Sequence, residues 1–329
     1  MAELVDAYDS KSYGAIHGSS ILPPGTTKQD YSYMKQKIIV ILGPTASGKS
    51  DLAVKIAKEI NGEIISADSR QVYKDLNIGT GKITHEEMCG IKHYLLDVID
   101  PKERFTVSQF KEMAEECIKT IVEKGKIPII CGGTGFYIDT LINNTNIPEI
   151  KADYRLREKL SEWSVEELFQ KLKKIDPTKA MSMNESDNKN KRRLIRAIEI
   201  AKNQNKKTET KKVEMKYEPI FIGLNPKKDI LHERIHNRLI KRLSIGMLDE
   251  AKKLNENELS YERMEELGLE YRYMARHLQG KISYEQMVEE LENEIKHYAK
   301  RQMTWFKRNK AISWYENANE VGSFEVRPY

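Results

Sequence analysis

The chain has 329 residues, of which 39% are hydrophobic and 32% are charged, and its formal net charge is +5. This composition is typical of a globular protein with two domains, or one domain with a large insertion, and it permits nucleic-acid binding without requiring it. No stretch approaches the roughly 18 apolar residues of a membrane helix, and the scattered cysteines form neither a zinc motif nor a disulfide framework, which favours a reducing, cytoplasmic setting.

The N-terminal segment shows no sustained strand or helix periodicity before Met34, and turn-forming residues cluster between Gly18 and Gly25. It begins with acidic residues and lacks the basic start and apolar core of a signal peptide. This pattern predicts a disordered tail over residues 1–36. Because the ordered pattern begins directly after Met34, this methionine is a candidate for the natural start of the protein.

Strands and helices alternate from residue 37 onward. The predicted strands cover residues 37–42, 63–66, 93–99 and 127–131, and the predicted helices between them cover residues 50–61 and 107–124. Short apolar strands separated by amphipathic helices are typical of a parallel sheet with crossover connections. The sequence therefore predicts an α/β core over residues 37–142, and the glycine-rich segment GPTASGKS after its first strand places this core in the P-loop NTPase-like class.

The pattern changes near Asn143. Residues 143–217 are highly charged with helical periodicity, which predicts a helical insertion, and residues 203–212 are all polar, as in a linker or exposed loop. Residues 218–329 return to the core and then form a helical C-terminal part. The elements predicted there are a strand at 219–224 and helices at 227–243, 248–257, 268–279 and 284–309.

A phosphate-binding loop follows the first strand. Residues 43–50 read GPTASGKS and match the pattern GxxxxGK[ST] between a strand and a helix. Backbone N–H groups and the helix N-terminus would face phosphate oxygens, Lys49 would add a point charge, and the Ser50 hydroxyl suits Mg²⁺. The loop residues predicted to bind a diphosphate or triphosphate are Gly43, Thr45, Ala46, Ser47, Gly48, Lys49 and Ser50; for Thr45 and Ser47 a role in shaping the loop is the alternative.

Nucleotide hydrolysis or kinase chemistry also requires an acidic residue after an apolar strand, to organise Mg²⁺ and water. Strand 127–131 ends in Cys-Gly-Gly and supplies none. Asp97 and Asp100 are possible substitutes, and solvated or capping carboxylates are the alternative. A P-loop small-molecule or nucleotide kinase remains the second functional hypothesis.

Asp68 follows the second predicted strand, and the carboxyl ends of parallel strands meet at the ligand edge of a sheet. Its carboxylate is therefore a candidate general base beside the phosphate loop. The alternative is that Asp68 caps the next turn.

Three basic clusters occupy the second half of the chain. They are Arg234 with Arg238, the segment KRQMTWFKR at 300–308, and the segment KRRLIR at 191–196. Cations interleaved with aromatic residues suit RNA, although each cluster alone could be a solvated helix face. A non-catalytic RNA-binding module is the third hypothesis, and Asp68 beside an intact phosphate loop argues against it.

Six segments, in order over residues 37–310, resemble the tRNA dimethylallyltransferase family (isopentenyl-diphosphate:tRNA transferases). They are GPTASGKS at 43–50, SADSRQVYKDLNIGTGK at 66–82, GGTGFY at 132–137, RRLIRAIEI at 192–200, HERIHNR at 232–238 and AKRQMTWF at 299–306. No Cys₂His₂ extension follows Arg308, so the resemblance is to the bacterial form.

The resemblance implies transfer of a dimethylallyl group from dimethylallyl diphosphate to the N6 amine of the adenosine 3′-adjacent to the anticodon in tRNA. Asp68 matches the general base, Ser50 lies beside the reacting amine and the diphosphate, and Arg238 holds the diphosphate with Lys49. The helical insertion resembles the part that grips the anticodon stem. A monomer that uses Mg²⁺ is expected. The residues that match tRNA-contacting regions are Asp68, Ser69, Arg70, Gln71, Thr134, Arg157, Arg192, Arg193 and Arg196.

Overall fold

The computed structural model describes residues 35–145, 147, 150, 152–203 and 215–322. The predicted tail lies outside these residues except at its end, where Gln36 already belongs to the first strand. The candidate start Met34 and nearly all of the polar stretch 203–212 also lie outside them.

The described chain forms a parallel sheet whose strands lie in the order β3-β2-β4-β1-β5-β6. The strands are β1 (Gln36–Leu42), β2 (Gly62–Ser66), β3 (His93–Tyr94), β4 (Ile127–Gly132), β5 (Tyr217–Leu224) and β6 (Ser313–Tyr315). All neighbouring strands pair in parallel. With a phosphate loop after β1, this confirms the predicted α/β, P-loop NTPase-like class.

Helices flank this sheet, and further helices precede and follow β5 in the sequence. The helices of the first half are α1 (Lys49–Glu59), α2 (His85–Met88), α3 (Val107–Glu123), α4 (Gly135–Ile142), α5 (Tyr154–Ser161), α6 (Val165–Ile175), α7 (Pro177–Ser182), α8 (Glu185–Asn188) and α9 (Lys191–Asn203). Those of the second half are α10 (Lys228–Ser244), α11 (Met247–Glu256), α12 (Tyr261–Leu267), α13 (Leu269–Leu278) and α14 (Tyr284–Phe306). None of the described helices is both long and apolar enough to cross a membrane.

Both faces of the sheet are buried, as the continuous apolar runs predict. Alternate residues of β1 point to opposite faces: Ile38 and Val40 pack with α3 and α4, while Ile39 and Ile41 pack with α1. This arrangement leaves the carboxyl ends of β1, β2 and β4 as the edge at which ligands can approach.

Two helical groups complete the described chain. Helices α5, α6, α7 and α9 surround their own apolar cluster, which includes Leu168, Leu172 and Leu194. Helices α10 to α14 pack with Val72 and Leu76, so the segment that follows β2 is fastened to the C-terminal part.

The structure differs from the predicted elements in several places. The predicted strand 93–99 ends at Tyr94, because Leu95 and Asp97 adopt left-handed backbone conformations with φ of 61° and 55°. The last long helix ends at Phe306 rather than at residue 309. Helix α4, helix α12 and strand β6 were not predicted, since each is too short for its periodicity to stand out.

Candidate active site

The phosphate loop connects β1 to α1 at the carboxyl edge of the sheet. Gly48, with φ of 89°, has the left-handed conformation that turns the chain into α1. At Gly43 a Cβ atom would lie 2.6 Å from the carbonyl oxygen of Leu224. The glycines of the motif are therefore required by backbone geometry, as the pattern predicts.

Two cations converge on this loop. The Lys49 ammonium donates to the carbonyl oxygen of Pro44 at 3.3 Å, and the Arg238 guanidinium donates to the Thr45 hydroxyl. Neither forms an ion pair with a carboxylate of the described residues. Burial lowers the pKa of Lys49 and, together with the neighbouring Arg242, lowers the pKa of Arg238 to about 9. Two half-buried cations without a carboxylate partner form a site that an anion would stabilise.

The serines of the loop differ in exposure. The Ser47 hydroxyl is buried and has no hydrogen-bond partner within the described part of the chain, so it is available to a ligand oxygen. Ser50, in the first turn of α1, is exposed. No group of three or more His, Cys, Asp or Glu side chains among the described residues is arranged to hold a metal ion. A magnesium ion would fit here with the Ser50 hydroxyl as its protein ligand and with phosphate and water oxygens as the others.

Asp68 lies just past β2, where the sequence predicts it. Its Oδ1 accepts hydrogen bonds from the backbone N–H groups of Arg70 at 2.8 Å and Gln71 at 3.2 Å. The charges of Lys49 and Arg238 both interact with this carboxylate. Turn capping and base chemistry are therefore compatible, because Oδ1 orients the group and Oδ2 has no hydrogen-bond partner among the described residues.

The predicted tRNA-contacting residues around Asp68 form one corner of the site. The backbone N–H of Ser69 donates to the Thr134 hydroxyl at 3.1 Å, which joins the loop after β2 to the loop after β4. The Arg70 side chain folds back to the carbonyl oxygen of Ser69 at 3.1 Å. The Gln71 side chain donates to the carbonyl oxygen of Gly81 at 3.1 Å. The structure thus brings this predicted group together.

The predicted arginines of the insertion fall into two kinds. Arg157 and Arg196 both donate to the fully buried carboxylate of Glu199, which also accepts the backbone N–H of Asp153 at 2.6 Å. The Arg157–Glu199 pair joins α5 to α9, whereas Arg196 lies on α9 beside Glu199 and also donates to the carbonyl oxygen of Ile150 at 3.0 Å. By contrast, Arg192 is exposed and has no partner among the described side chains. Arg193 is also exposed, and it pairs with Asp187.

The two carboxylates considered for nucleotide hydrolysis are engaged elsewhere. Asp97 pairs with the buried ammonium of Lys82. Oδ1 of Asp100 accepts the backbone N–H of Lys102 at 2.8 Å and closes a turn. Asp100 thus has the capping role that the sequence left open, and Asp97 is part of an ion pair that the sequence did not predict.

Gln302 on α14 is a site residue that the sequence analysis missed. Its Oε1 accepts the backbone N–H of Thr45 at 2.8 Å, and its Nε2 donates to the carbonyl oxygen of Gly133 at 2.9 Å. The side chain is buried, and a Cβ atom at Gly133 would lie 2.2 Å from Nε2. The sequence did contain a signal for this role, because Gln302 is a polar residue on the same helix face as the apolar Ala299 and Phe306.

A second missed group holds residues 77–81. The Glu250 carboxylate accepts three backbone N–H groups, from Asn77 at 3.0 Å, Ile78 at 2.7 Å and Gly79 at 2.9 Å. The buried Arg242 donates to the Gly79 carbonyl oxygen at 3.1 Å and pairs with Glu270 at 3.0 Å. The long segment after β2 is thereby fixed by the C-terminal helices.

Comparisons with known protein families, sequences and structures all identify the same kind of enzyme. A family model described as IPP transferase matches residues 71–309. A tRNA dimethylallyltransferase of Thermoanaerobacter sp. is 40% identical over 297 residues, which cover 86% of this chain and 92% of the relative. The crystal structure of the full-length tRNA isopentenylpyrophosphate transferase from Bacillus halodurans is similar, with a TM-score of 0.64, 38% identity, and coverage of 85% of this chain and 90% of that one. A eukaryotic dimethylallyltransferase, captured in crystallographic snapshots acting on tRNA, aligns with a TM-score of 0.74 at 30% identity, covering 86% of this chain and 74% of that one.

Proposed function

Because the chain belongs to the IPP transferase family, we propose that it transfers a dimethylallyl group from dimethylallyl diphosphate to the N6 amine of the adenosine 3′-adjacent to the anticodon in tRNA. The observation that carries this proposal is the convergence of Lys49 and Arg238 on a phosphate loop beside the oriented carboxylate of Asp68. Neither cation pairs with a carboxylate in the part of the chain that the structure describes. Such a site can bind a diphosphate beside an amine nucleophile that gives up a proton to Asp68. The protein acts as a monomer in the cytoplasm.

The diphosphate lies on the loop formed by residues 43–50. When the allylic C–O bond breaks, negative charge develops on the diphosphate oxygen. Lys49, Arg238 and the loop N–H groups are positioned to stabilise that charge before the reaction begins. The Ser50 hydroxyl would hold Mg²⁺, which would supply further charge neutralisation when bound.

Asp68 accepts the proton. The N6 nitrogen forms the new N–C bond as the diphosphate departs, and its proton passes to the free Oδ2 of Asp68. An exocyclic amine is a weak nucleophile, so a base held by two backbone hydrogen bonds lowers the barrier. The adenine must leave the anticodon-loop stack to reach this position.

The RNA contacts divide by location. Ser69, Arg70, Gln71 and Thr134 surround Asp68 and meet the nucleotides nearest the reacting base. On the insertion, the exposed Arg192 and Arg193 meet phosphates of the anticodon stem. Arg157 and Arg196 contribute the remaining positive charge while Glu199 fixes their orientation.

The test is mass spectrometry of nucleosides from unmodified tRNA incubated with the protein, Mg²⁺ and dimethylallyl diphosphate. We expect a prenyl mass gain on adenosine that requires the diphosphate and is absent with ATP alone. ATP consumption in the presence of a small acceptor, with no mass gain on tRNA, would favour the kinase alternative. The relatives do not favour that alternative, because they are tRNA dimethylallyltransferases, and Asp97 is held in an ion pair with Lys82.

A further inference from the structure

An exposed aromatic ring lies beside the candidate active site and has no part in the chemistry described above. Phe136, in the first turn of α4, is 49% exposed. A single exposed phenylalanine is ordinary in a folded protein. What distinguishes this one is its set of neighbours, which are an indole ring and a guanidinium from another helix.

Trp305 on α14 provides the second ring. The centroids of the Phe136 and Trp305 rings lie 6.1 Å apart with an interplanar angle of 73°, an edge-to-face contact. The indole Nε1 donates to Oδ2 of Asp139 at 2.7 Å. A Cβ atom at Gly135 would lie 2.3 Å from Trp305 Cδ1, so the indole rests directly on the backbone of α4. The indole is therefore fixed in orientation, and its contact with the Phe136 ring is edge to face.

Arg308 adds a cation to the same surface. Its guanidinium carbon lies 3.7 Å from the Trp305 ring centroid. It is exposed and pairs with no carboxylate within 4.0 Å among the residues that the structure describes. Lys307, the residue before it, is exposed as well. The result is a patch of two rings with an exposed guanidinium at its rim, which we call the aromatic platform (Phe136, Trp305 and Arg308). Arg308 Nε donates to the carbonyl oxygen of Trp305 at 3.1 Å, and its charge also interacts with the carboxylate of Asp139.

The aromatic platform adjoins the reacting group through short covalent and hydrogen-bonded connections. Phe136 is two residues past Thr134, whose hydroxyl accepts the backbone N–H of Ser69, the neighbour of Asp68. Trp305 is three residues past Gln302, which contacts the phosphate loop. One helix, α14, thus sets both the donor loop and the platform.

We propose that the aromatic platform stacks an unpaired anticodon-loop base that flanks the target adenosine, with Arg308 pairing with a nearby phosphate. This inference rests on the proposed function. Extruding one base from a loop deprives its neighbours of a stacking partner. An exposed ring beside the base's destination replaces that partner, and a cation-bearing aromatic patch matches the mixed apolar and anionic character of single-stranded RNA.

The experiment uses the full chain with Phe136→Ala, Phe136→Leu and Phe136→Trp. Leucine keeps apolar volume without a π face, and tryptophan keeps the π face. We expect Phe136→Ala and Phe136→Leu to raise the KM for tRNA about 10-fold and to leave the KM for dimethylallyl diphosphate and the Tm unchanged. Phe136→Trp should match the unmodified protein. Ile245→Ala, which removes an exposed apolar side chain elsewhere, is the control and should change nothing.

Stacking itself is measured with an anticodon stem-loop that carries 2-aminopurine at either position flanking the target adenosine. One of the two probes should be quenched in the complex with the unmodified protein and brighter in the complex with Phe136→Ala. A wild-type KM for tRNA in Phe136→Leu, or emission of both probes unaffected by Phe136→Ala, overturns the proposal. The binding readout needs no turnover, so quenching without any transfer would refute the proposed function and still support the platform.

Discussion

At the scale of single residues, the site depends on how charges are partnered. Asp68 uses one oxygen to close its own turn and leaves the other free, while Lys49 and Arg238 bond to neutral loop oxygens instead of to carboxylates. An ion pair would satisfy each cation internally and weaken its attraction for a ligand. The missing carboxylates therefore leave the positive potential available to a diphosphate.

Replacement of Asp68 by asparagine separates the two functions of this side chain. The amide oxygen of Asp68→Asn can still accept the N–H groups of Arg70 and Gln71, so the turn should survive. The variant cannot take a proton, and we expect transfer to slow by about 100-fold or more with little change in either KM. Steady-state kinetics test this, and a near-normal kcat would refute the assignment of the base.

Removal of the Arg238 guanidinium should act on the donor. We expect Arg238→Ala to raise the KM for dimethylallyl diphosphate and to lower kcat, each by about 10-fold or more, because a charge-assisted contact to the leaving group is lost. Lys241→Ala, which removes an exposed positive charge from the same helix, is the control. A loss of tRNA affinity alone in Arg238→Ala would contradict its role in holding the diphosphate.

At the scale of secondary-structure elements, helices from the far end of the chain brace the loops of the sheet. Gln302 on α14 bridges the loops after β1 and β4, and Glu250 on α11 binds three N–H groups of the segment after β2. Loops at a sheet edge have no ladder to satisfy their backbone groups, so these side chains supply the partners. The consequence is a preorganised site.

The bridging role of Gln302 can be tested with Gln302→Met, which keeps the length of the side chain. The Thr45 N–H and the Gly133 carbonyl oxygen would both lose their partner, and each loss costs about 1–3 kcal/mol when the group stays buried. We expect a lower Tm and a raised KM for dimethylallyl diphosphate. Lys300→Met, an exposed change on the same helix, is the control. Calorimetry showing an unchanged Tm for Gln302→Met would remove this residue from the site.

At the scale of the whole molecule, a net charge of +5 is too small for non-specific attraction of RNA over the whole surface. RNA binding therefore depends on where the arginines lie. Glu199 engages Arg157 and Arg196 inside the insertion, whereas Arg192 remains exposed. The predicted tRNA-contacting arginines of the insertion thus include two whose side chains Glu199 holds and one that is exposed.

This division predicts opposite effects for two arginine substitutions. Arg157→Ala leaves the buried Glu199 carboxylate with one guanidinium partner fewer, so we expect a lower Tm. Arg192→Ala should leave the Tm unchanged, weaken tRNA binding and reduce the dependence of log Kd on log salt by about one unit of slope at most. Filter binding between low and high salt, with thermal melts of both variants, checks this. An unchanged salt slope in Arg192→Ala would exclude a phosphate contact.

Sequence alone sufficed for the features that local chemistry determines. Apolar runs and amphipathic periods predicted the parallel sheet and most long helices, and the glycine-rich motif predicted a loop whose geometry tolerates no other residue at Gly43. Asp68 could be assigned to the ligand edge, because the carboxyl ends of parallel strands always meet there. These inferences need only the spacing of residues along the chain.

Only the tertiary structure decided which side chains meet across long separations. Gln302 lies 257 residues from Thr45, and Glu250 lies more than 170 from Asn77 and Ile78, so no local pattern links them. The same holds for Glu199, whose carboxylate accepts a hydrogen bond from Arg157, 42 residues earlier in the chain, and orients that predicted RNA-contacting side chain. Such contacts depend on how the helices pack against the sheet. A buried hydrogen bond or ion pair stabilises the fold only when packing has brought both of its partners together.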